Sequence, residues 1–428
     1  MTHDTNIPQG YKATALGIIP QEWEVMRLED LCHNQGDYGI NAPATDFSDK
    51  LPTYLRITDI DDDGKFIIAN KASVNNPNSE SYHLKDGDIV FARTGATVGK
   101  TYLYNREDGD LVFAGFLIRF SPNAQKIVPY YLKAYTNTST YWKWVKITSQ
   151  RSGQPGINAT EYCSLQIPVP PLAEQRKIAE VLGVWDEAIE KQARLIEKLA
   201  LRKRALMQRL LSAKLRLPGF SEPWKKVKLG DIGHFLSSNT LSRDCLNEQN
   251  GNIKNIHYGD ILIKLPTIVD ASFIHIPYVN DDVIVKSDYL KNGDIIFADT
   301  AEDYTVGKAI EIINIQAIPV TSGLHTIPFR PKSGIFVNRF LGYYVNSTDY
   351  RRQLQPLIQG IKVYSISKTA LCKTTLKIPT LSEQTAIAEV LTAADREIEL
   401  AKEKLERLRR QKRGLMQQLL TGKKRVKY

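Results

Sequence analysis

The sequence predicts an α+β protein in which two mixed α/β globular segments are separated by two long antiparallel coiled-coil helices, with a pseudo-two-fold internal repeat. Three observations support this prediction. One stretch of the chain occurs twice, each copy has the heptad pattern of a long helix, and each copy follows a region of short β-like runs. A chain of 428 residues is also too long for one hydrophobic core.

The repeat divides the chain into four parts. Leu172–Lys214 aligns without a gap on Leu381–Lys423, and 21 of these 43 residue pairs are identical. We therefore expect globular segments at 1–167 and 217–378, and helical segments at 168–216 and 379–428.

The first globular segment has β-like runs at Thr53–Thr58, Asp88–Ala92 and Leu111–Ala114, which are separated by turn residues such as Asp and Gly. One helix is expected near Val128–Val145. These elements together predict a mixed α/β segment.

The second globular segment repeats this plan at two short islands. Trp23–Leu28 matches Trp224–Leu229, and Leu84–Ala92 matches Leu290–Ala298. Because the sequences between these islands diverge widely, we expect one scaffold with dissimilar loops.

Both long helices are expected to begin after a strand that ends in proline, and Thr380–Glu383 has the spacing of a capping box. A repeat of 3.5 residues indicates a coiled coil. The seam positions of the first helix are Ile178, Trp185, Gln192, Leu199 and Leu206, with Leu182, Ile189, Ile196, Lys203 and Leu210. Those of the second are Ile387, Ala394, Ala401, Leu408 and Leu415, with Leu391, Ile398, Leu405, Lys412 and Leu419.

Two questions about this pairing stay open from the sequence. Lys203 and Lys412 interrupt the seams at the same register, and each either extends to solvent or fixes the pairing by meeting an acidic partner. A helix of about 40 residues is about 60 Å long and needs a partner. An antiparallel pairing of the two copies is preferred for two-fold related repeats, although a parallel one is possible.

The sequence contains no credible catalytic centre. Thr94–Thr101 is one residue short of a phosphate-binding loop, but Thr94 replaces its first glycine, and Thr101–Tyr104 is typical of a strand where a helix should follow. An NTPase is therefore a weak alternative. The four cysteines have no metal spacing, and Cys163 and Cys372 occupy the same repeat position as small buried residues.

Composition favours a cytoplasmic protein with no membrane segment. No apolar run is long enough to span a bilayer, and Met1–Gln9 lacks the features of a secretory signal. The formal net charge of +10 is consistent with a nucleic-acid partner.

Candidate DNA-binding residues lie in loops where the two copies disagree. Arginine suits guanine, asparagine and glutamine suit adenine, and aromatic rings contact methyl groups. The candidates of the first segment are Asn34, Gln35, Tyr38, Asn41, Arg56, Arg93, Thr94, Arg151 and Gln154. Those of the second are Asn239, Arg243, Asn255, His257, Tyr258, Lys362 and Tyr364.

The chain resembles the specificity subunit of type I restriction-modification enzymes from about Tyr11 to Gly422. The resemblance is carried by Pro170–Glu180 and its copy Leu381–Glu389, by the helix ends Lys203–Leu211 and Lys412–Leu420, and by Gly87–Lys100. The second segment departs from this pattern at Ala298–Thr305, where Arg93 has no basic equivalent.

The resemblance implies that each globular segment is a target recognition domain for half of a bipartite DNA site. The paired helices would set the gap and dock two methyltransferase subunits. Motor-nuclease subunits would complete a system of defence against foreign DNA. S-adenosylmethionine, ATP and Mg would be cofactors of those partners, with none in this chain. The expected spacer and docking residues are Glu174, Gln175, Leu182, Ile189, Lys203, Leu206, Leu210, Glu383, Gln384, Leu391, Ile398, Lys412, Leu415 and Leu419.

One alternative belongs to a different functional class. A coiled-coil scaffold protein with protein-binding globules would have the same repeat and the same helices. Salt-sensitive, sequence-selective binding to double-stranded DNA would distinguish the specificity subunit from this scaffold.

Overall fold

A computed structural model describes residues 7–427. Residues 1–6 and 428 lie outside the described part. They include most of Met1–Gln9, for which the sequence predicts no secretory signal. The chain packs into two units: the first comprises residues up to 192 together with those from 404 onward, and the second comprises 193–403. Each long helix therefore contributes one part of its length to each unit.

The first unit has a globular part made of short strands and helices. Its strands are β1 (Tyr11–Thr14), β2 (Gly17–Pro20), β3 (Glu24–Arg27), β4 (Asp37–Tyr38), β5 (Thr45–Asp46), β6 (Thr53–Leu55), β7 (Ala72–Ser73), β8 (Ile89–Ala92), β9 (Thr101–Leu103), β10 (Leu111–Phe113), β11 (Leu117–Phe120) and β12 (Gln166–Val169). Its helices are α1 (Leu28–Leu31), α2 (Pro129–Tyr135), α3 (Ser139–Thr148), α4 (Ala159–Cys163) and the first part of α5 (Leu172–Leu210).

Two four-stranded sheets organise this globular part, in the orders β10-β6-β7-β5 and β4-β11-β8-β9. Every residue of β8 is buried, so both faces of this strand are covered by other parts of the unit. The prediction of a single helix over Val128–Val145 is wrong. The chain forms α2 and α3 instead, because the Thr138 hydroxyl accepts a hydrogen bond from the backbone of Tyr141 and begins a new helix.

The second unit repeats this architecture with a larger central sheet. Its strands are β13 (Lys225–Lys228), β14 (Gly233–Phe235), β15 (Leu246–Asn247), β16 (Lys254–Ile256), β17 (Ile268–Asp270), β18 (Tyr278–Val279), β19 (Ile295–Ala298), β20 (Thr300–Ala301), β21 (Ala309–Ile313), β22 (Val320–Ser322), β23 (Thr326–Pro331), β24 (Tyr364–Ser365) and β25 (Thr375–Ile378). Its helices are α6 (Phe340–Val345), α7 (Thr348–Leu354), α8 (Lys368–Cys372) and the first part of α9 (Leu381–Leu419). The main sheets have the orders β14-β23-β19-β21-β17 and β15-β18-β16-β22.

The repeated island at the start of β8 and β19 is a scaffold motif. In each unit an aspartate side chain accepts a hydrogen bond from the lysine backbone three residues earlier, Asp88 from Lys85 and Asp294 from Lys291. Arg330 also donates to Asp294. These bonds close the turn before the buried strand, which explains why the lysine and the aspartate occur in both copies.

The helices α5 and α9 each have 39 residues, about 58 Å of helix. Their predicted seam positions are all buried or half-buried. In the first unit Glu174 contacts Arg425 and Asp186 contacts Lys412; in the second, Asp395 contacts Lys203. Residue numbers rise along one helix as they fall along the other, so the helical segments within the first unit run antiparallel.

The lysines that interrupt the seams fix this pairing. The Lys412 ammonium lies 2.5 Å from Asp186, and Lys203 contacts Asp395 in the same way. Each aspartate also accepts a hydrogen bond from a tyrosine of the globular part, Tyr130 or Tyr343. The same three-residue contact therefore ties both helices to the globular part in each unit.

The Glu-Gln pair at the start of each helix anchors it to its globular part. Glu174 accepts hydrogen bonds from Trp23 Nε1 at 3.0 Å and Arg425 Nε at 2.6 Å. The next residue, Gln175, accepts from the Val128 backbone and donates to Pro170.

The second unit reproduces this arrangement. Glu383 accepts from Trp224 Nε1 at 3.1 Å and Arg216 Nε at 2.6 Å, and Gln384 accepts from the Val337 backbone. The expected capping box is wrong in its second half: Thr380 accepts from the Glu383 backbone, but the Glu383 carboxylate binds Arg216 and Trp224.

We expect Glu174→Ala to destabilise the first unit by about 3 kcal/mol, because Arg425 and the buried Trp23 would lose their acceptor. Calorimetric unfolding would show a lower Tm for one transition. Glu187→Ala is the matched control, since Glu187 pairs with Lys191 on the exposed surface of the same helix. Equal effects of the two changes would contradict this interpretation.

Lys133 is buried in the first unit, where its ammonium donates to Thr101 Oγ1 at 3.0 Å. Burial, assisted by the charge of Lys412, lowers the pKa of Lys133 from 10.5 to about 8. The folded state therefore binds fewer protons than the unfolded state between pH 8 and 10.5, and stability from this group rises with pH across that window.

We expect Lys133→Met to raise the Tm of the first unit at pH 7 by roughly 4 °C, because the buried charge is removed. This gain should shrink as the pH rises from 8 to 10.5. Thermal unfolding of both proteins at pH 7, 9 and 10.5 would measure it, and a gain that is constant with pH would contradict the pKa assignment.

Candidate functional site

Four of the nine candidate residues of the first unit meet at the end of β8. The Arg93 guanidinium lies over the Tyr38 ring, 4.9 Å from its centroid. Thr94 forms a β-bridge with Gly156, which brings the 151–156 loop alongside. Gln154 Nε2 reaches Gly95, and a Cβ added there would lie 3.0 Å from it. Tyr38, Arg93, Thr94 and Gln154 therefore form one partly exposed surface, which we call the first loop surface.

Two other candidates of this unit, Asn34 and Arg151, make contacts within the unit. Asn34 donates to Asp37 and accepts from the Ser121 backbone. Arg151 makes a two-point ion pair with Glu161. Gln35 and Asn41 have exposed side chains.

Arg56 does not belong to the first loop surface. Its Nε and Nη2 donate to the buried Asp59 carboxylate at 2.8 Å each, and this ion pair raises the pKa of Arg56. It follows β6, which lies in a different sheet from β8. Its contacts close the turn at residues 57–59, which is a structural role.

The corresponding surface of the second unit lies at the end of β19. Thr300 pairs with Ser365 and Ala301 pairs with Tyr364, so the loop before α8 again lies beside the loop after the buried strand. His325 lies next to Thr300, and its ring packs edge-on against Tyr258 at 5.3 Å. Thr300, His325, Tyr258, Tyr364 and the exposed Lys362 form the second loop surface.

Three of the remaining candidates of the second unit, Asn239, Asn255 and His257, are buried. Asn255 is fully buried and accepts a hydrogen bond from the buried Asn239 at 2.8 Å. His257 is buried, and its ring packs at a tilt against Tyr258 with 4.6 Å between the ring centroids. Burial, together with the charge of Arg243, lowers the pKa of His257 and favours its neutral form. Arg243 is exposed, and one of its guanidinium nitrogens forms an ion pair with Asp260 at 2.6 Å.

The two loop surfaces include residues that the sequence analysis missed. In both units the first backbone N–H after the buried strand donates to the carbonyl of the residue just before the paired strand. Arg93 donates to Phe116, before β11, and Asp299 donates to His325, before β23. Phe116 and His325 are exposed and structurally equivalent. Tyr304 is also exposed and stacks on Tyr364 at 4.9 Å. The sequence signal for Phe116 is an aromatic residue directly before the apolar strand β11, at a position that the strand pattern does not require to be apolar.

The expected docking residues of the helices fall into two groups. Glu174, Gln175, Glu383 and Gln384 are buried and bonded to the globular parts, so their side chains offer no surface to a further subunit. The seam residues are buried or half-buried along α5 and α9: Leu182, Ile189, Lys203, Leu206, Leu210, Leu391, Ile398, Lys412, Leu415 and Leu419.

The near-match to a phosphate-binding loop has another structure. Gly95–Thr97 is a single 3-10 turn, and the expected strand follows as β9. Lys100 donates to Asp62 at 2.6 Å and so holds the 61–65 turn. Among residues 7–427 there is no cluster of metal-ligating side chains, and none of the helices described is long and apolar enough to cross a bilayer.

A family model described as the type I restriction modification DNA specificity domain matches residues 20–200 and again residues 221–410. The chain belongs to this family. The two matches correspond to the two copies of the internal repeat, so the chain carries two specificity domains.

Two relatives from Methanocaldococcus jannaschii match over nearly the whole length. One, provisionally named as the specificity subunit of the type I restriction enzyme MjaX, is 26% identical and covers 98% of this chain and 97% of its own. The other, the specificity subunit of the type I restriction enzyme MjaVIII, is 26% identical and covers 96% and 94%.

Solved structures share the fold of the specificity domains. A chain from a structure on complex assembly and conformational transition of the type I R-M system has a TM-score of 0.59 at 18% identity, covering 94% of this chain and 99% of that chain. The S subunit of a type I restriction-modification system from M. genitalium has a TM-score of 0.50 at 15% identity, covering 98% of each.

We expect Arg56→Ala to change stability and Arg93→Ala to change DNA binding. Arg56→Ala leaves the buried Asp59 without its partner, so it should lower the Tm of the first unit by roughly 6 °C without changing the DNA sequence preferred. Among the described residues, the Arg93 side chain contacts only the exposed Tyr38 ring, so Arg93→Ala should leave Tm nearly unchanged and weaken sequence-selective binding about tenfold. Calorimetry and competition binding on duplex DNA would measure both effects, and a Tm loss confined to Arg93→Ala would contradict the assignment.

Proposed function

We propose that this chain is the DNA-specificity subunit of a type I restriction-modification complex and that each specificity domain reads one half of a bipartite site. The observation that carries this proposal is the pair of loop surfaces. Both lie at the same place on one scaffold, beside the end of β8 and of β19, yet their side chains differ. One scaffold with two unlike surfaces fits recognition of two unlike sequences.

The chemistry of the two surfaces suits base edges. In the first, Arg93 is held by Tyr38 and has no carboxylate partner among its described contacts, so its guanidinium is available to a guanine. Gln154 is exposed beside it and can bond adenine. In the second, His325 and Lys362 offer polar groups and Tyr258 and Tyr364 offer rings. Asn239, Asn255 and His257 support that surface from below.

Arg56, Asn34 and Arg151 are assigned to the scaffold, and Arg243 to a partly available position at the edge of the second surface. Gln35 and Asn41 remain candidate contacts at the rim of the first surface. Removal of scaffold residues would affect folding before it affected recognition.

We further propose that the helical segments 168–216 and 379–428 act as the spacer between the recognition domains 1–167 and 217–378. Exposed faces of these helices would dock two methyltransferase subunits, while the seam residues hold the helices together. Motor-nuclease subunits would join that assembly in the cytoplasm. S-adenosylmethionine, ATP and Mg would then be cofactors of the partner subunits, and this chain would supply recognition without catalysis.

Exchange of the first recognition domain for that of a relative should change one half of the methylated site and leave the other half unchanged. The physical reason is that the anchoring contacts of Trp23, Glu174 and Gln175 lie within the first unit and involve no residue of the second recognition domain. Methylome sequencing of cells that express the chain with its methyltransferase would identify the site before and after the exchange.

The matched control is the reciprocal exchange of the second domain. A change in both halves after a single exchange would contradict independent reading. Absence of any sequence-selective methylation or binding by the assembled wild-type complex would instead favour the scaffold alternative.

A further inference from the structure

The loop that precedes α8 ends in a short hairpin with an apolar tip. Gln359 and Ser365 exchange backbone hydrogen bonds at 3.0 and 2.8 Å and close the base of the hairpin. Gly360 has a φ of +111°, and a Cβ there would lie 1.9 Å from the Val363 carbonyl, so this turn requires glycine. The hairpin therefore has a defined shape and is not a loose loop.

The tip exposes aliphatic side chains to solvent. Ile361 is 92% exposed and Val363 is 54% exposed, although both are apolar. Single exposed apolar residues are common, but two on the same turn, held by a glycine-dependent hairpin, form a small projecting wedge. Lys362 lies between them and carries a positive charge at the same tip.

The hairpin is braced from behind. Tyr364 stacks on Tyr304, and Ala301 pairs with Tyr364 across β20 and β24. Arg351 Nη2 donates to the Tyr304 backbone carbonyl at 2.6 Å and so fixes the backbone that carries this ring. Glu302 and Asp303, which precede Tyr304, carry negative charge and disfavour phosphate, whereas Lys362 supplies the positive charge of the hairpin tip.

The first unit has no such wedge. Its equivalent loop, whose Gly156 pairs with Thr94, carries the polar residues Ser152 and Gln154 at the exposed positions. The same position of the scaffold therefore presents hydrogen-bonding groups in one domain and an aliphatic-cationic tip in the other.

We propose that Ile361 inserts between two adjacent base pairs of the half-site read by the second domain and partly unstacks them, while Lys362 contacts a flanking phosphate. The occupant is a base-pair step of duplex DNA. It suits the tip because aliphatic side chains are the groups that proteins insert between base steps, and because the tip carries one positive and no negative charge. The wedge is continuous with the second loop surface through Tyr364 and Thr300. This inference rests on the proposed function and adds that the second half-site is read partly through its deformability.

The test uses the chain assembled with its methyltransferase subunit and a duplex that contains the methylated site. 2-Aminopurine is placed at successive positions of the second half-site, and its fluorescence rises when a base is unstacked. Wild-type complex should raise the fluorescence at one step. Ile361→Ala should abolish that rise and weaken binding about tenfold, with the Tm unchanged. Ile361→Leu should restore both, because leucine retains an apolar wedge.

Two exposed isoleucines of the same unit provide matched controls. Ile263 is 84% and Ile284 is 79% exposed, and their replacement by alanine should change neither fluorescence nor affinity. Wild-type fluorescence that stays flat in a duplex bound selectively would overturn the wedge and leave the proposed function intact. An Ile361→Ala variant that loses its methyltransferase subunit but binds DNA normally would overturn it as well, in favour of a protein contact. A wild-type complex with no selective binding would remove the proposed function itself.

Discussion

The buried carboxylate at the start of each long helix is the contact on which each unit depends. Glu174 and Glu383 each accept from one tryptophan of the globular part and from one arginine near the end of the antiparallel segment. A buried charge is costly unless it is paired and hydrogen-bonded. Each carboxylate therefore fixes three pieces of chain at once: the globular part, the beginning of one helix and the end of the other.

This constraint explains the distribution of sequence identity between the two copies. Positions that anchor the helices are the same in both, because both carboxylates need the same donors. The tyrosine, aspartate and lysine contact adds a second identical anchor farther along the helices. The loops at the end of β8 and β19 lie outside these anchors and differ freely. Identity is therefore concentrated at the anchoring contacts, and divergence is concentrated in the loops that we propose contact DNA.

Much of the architecture was predictable from the sequence because it depends on periodicity. Heptad positions, the buried strands at Asp88–Ala92 and Leu290–Ala298, and the order of segments are all local patterns. Family and fold agree with what the repeat motifs indicated. The single helix expected at Val128–Val145 was wrong, because Thr138 caps a second helix within the polar run Thr136–Thr140. Residue type alone could not show that Arg56 is occupied by Asp59 or that Asn255 is buried, since both depend on distant parts of the chain. The loop surfaces were similarly hidden, because Phe116 and His325 join them only through strand pairing.

The contacts of Arg425 also bind a segment that the other anchors do not reach. Besides Glu174, this arginine binds Glu22 at 2.9 Å, and Gly422 packs against Pro20. Residues near positions 20 and 425 are thus held side by side within the first unit. Loss of the Arg425 guanidinium would therefore release the Glu22 segment and the start of the first long helix together, because one side chain joins both carboxylates.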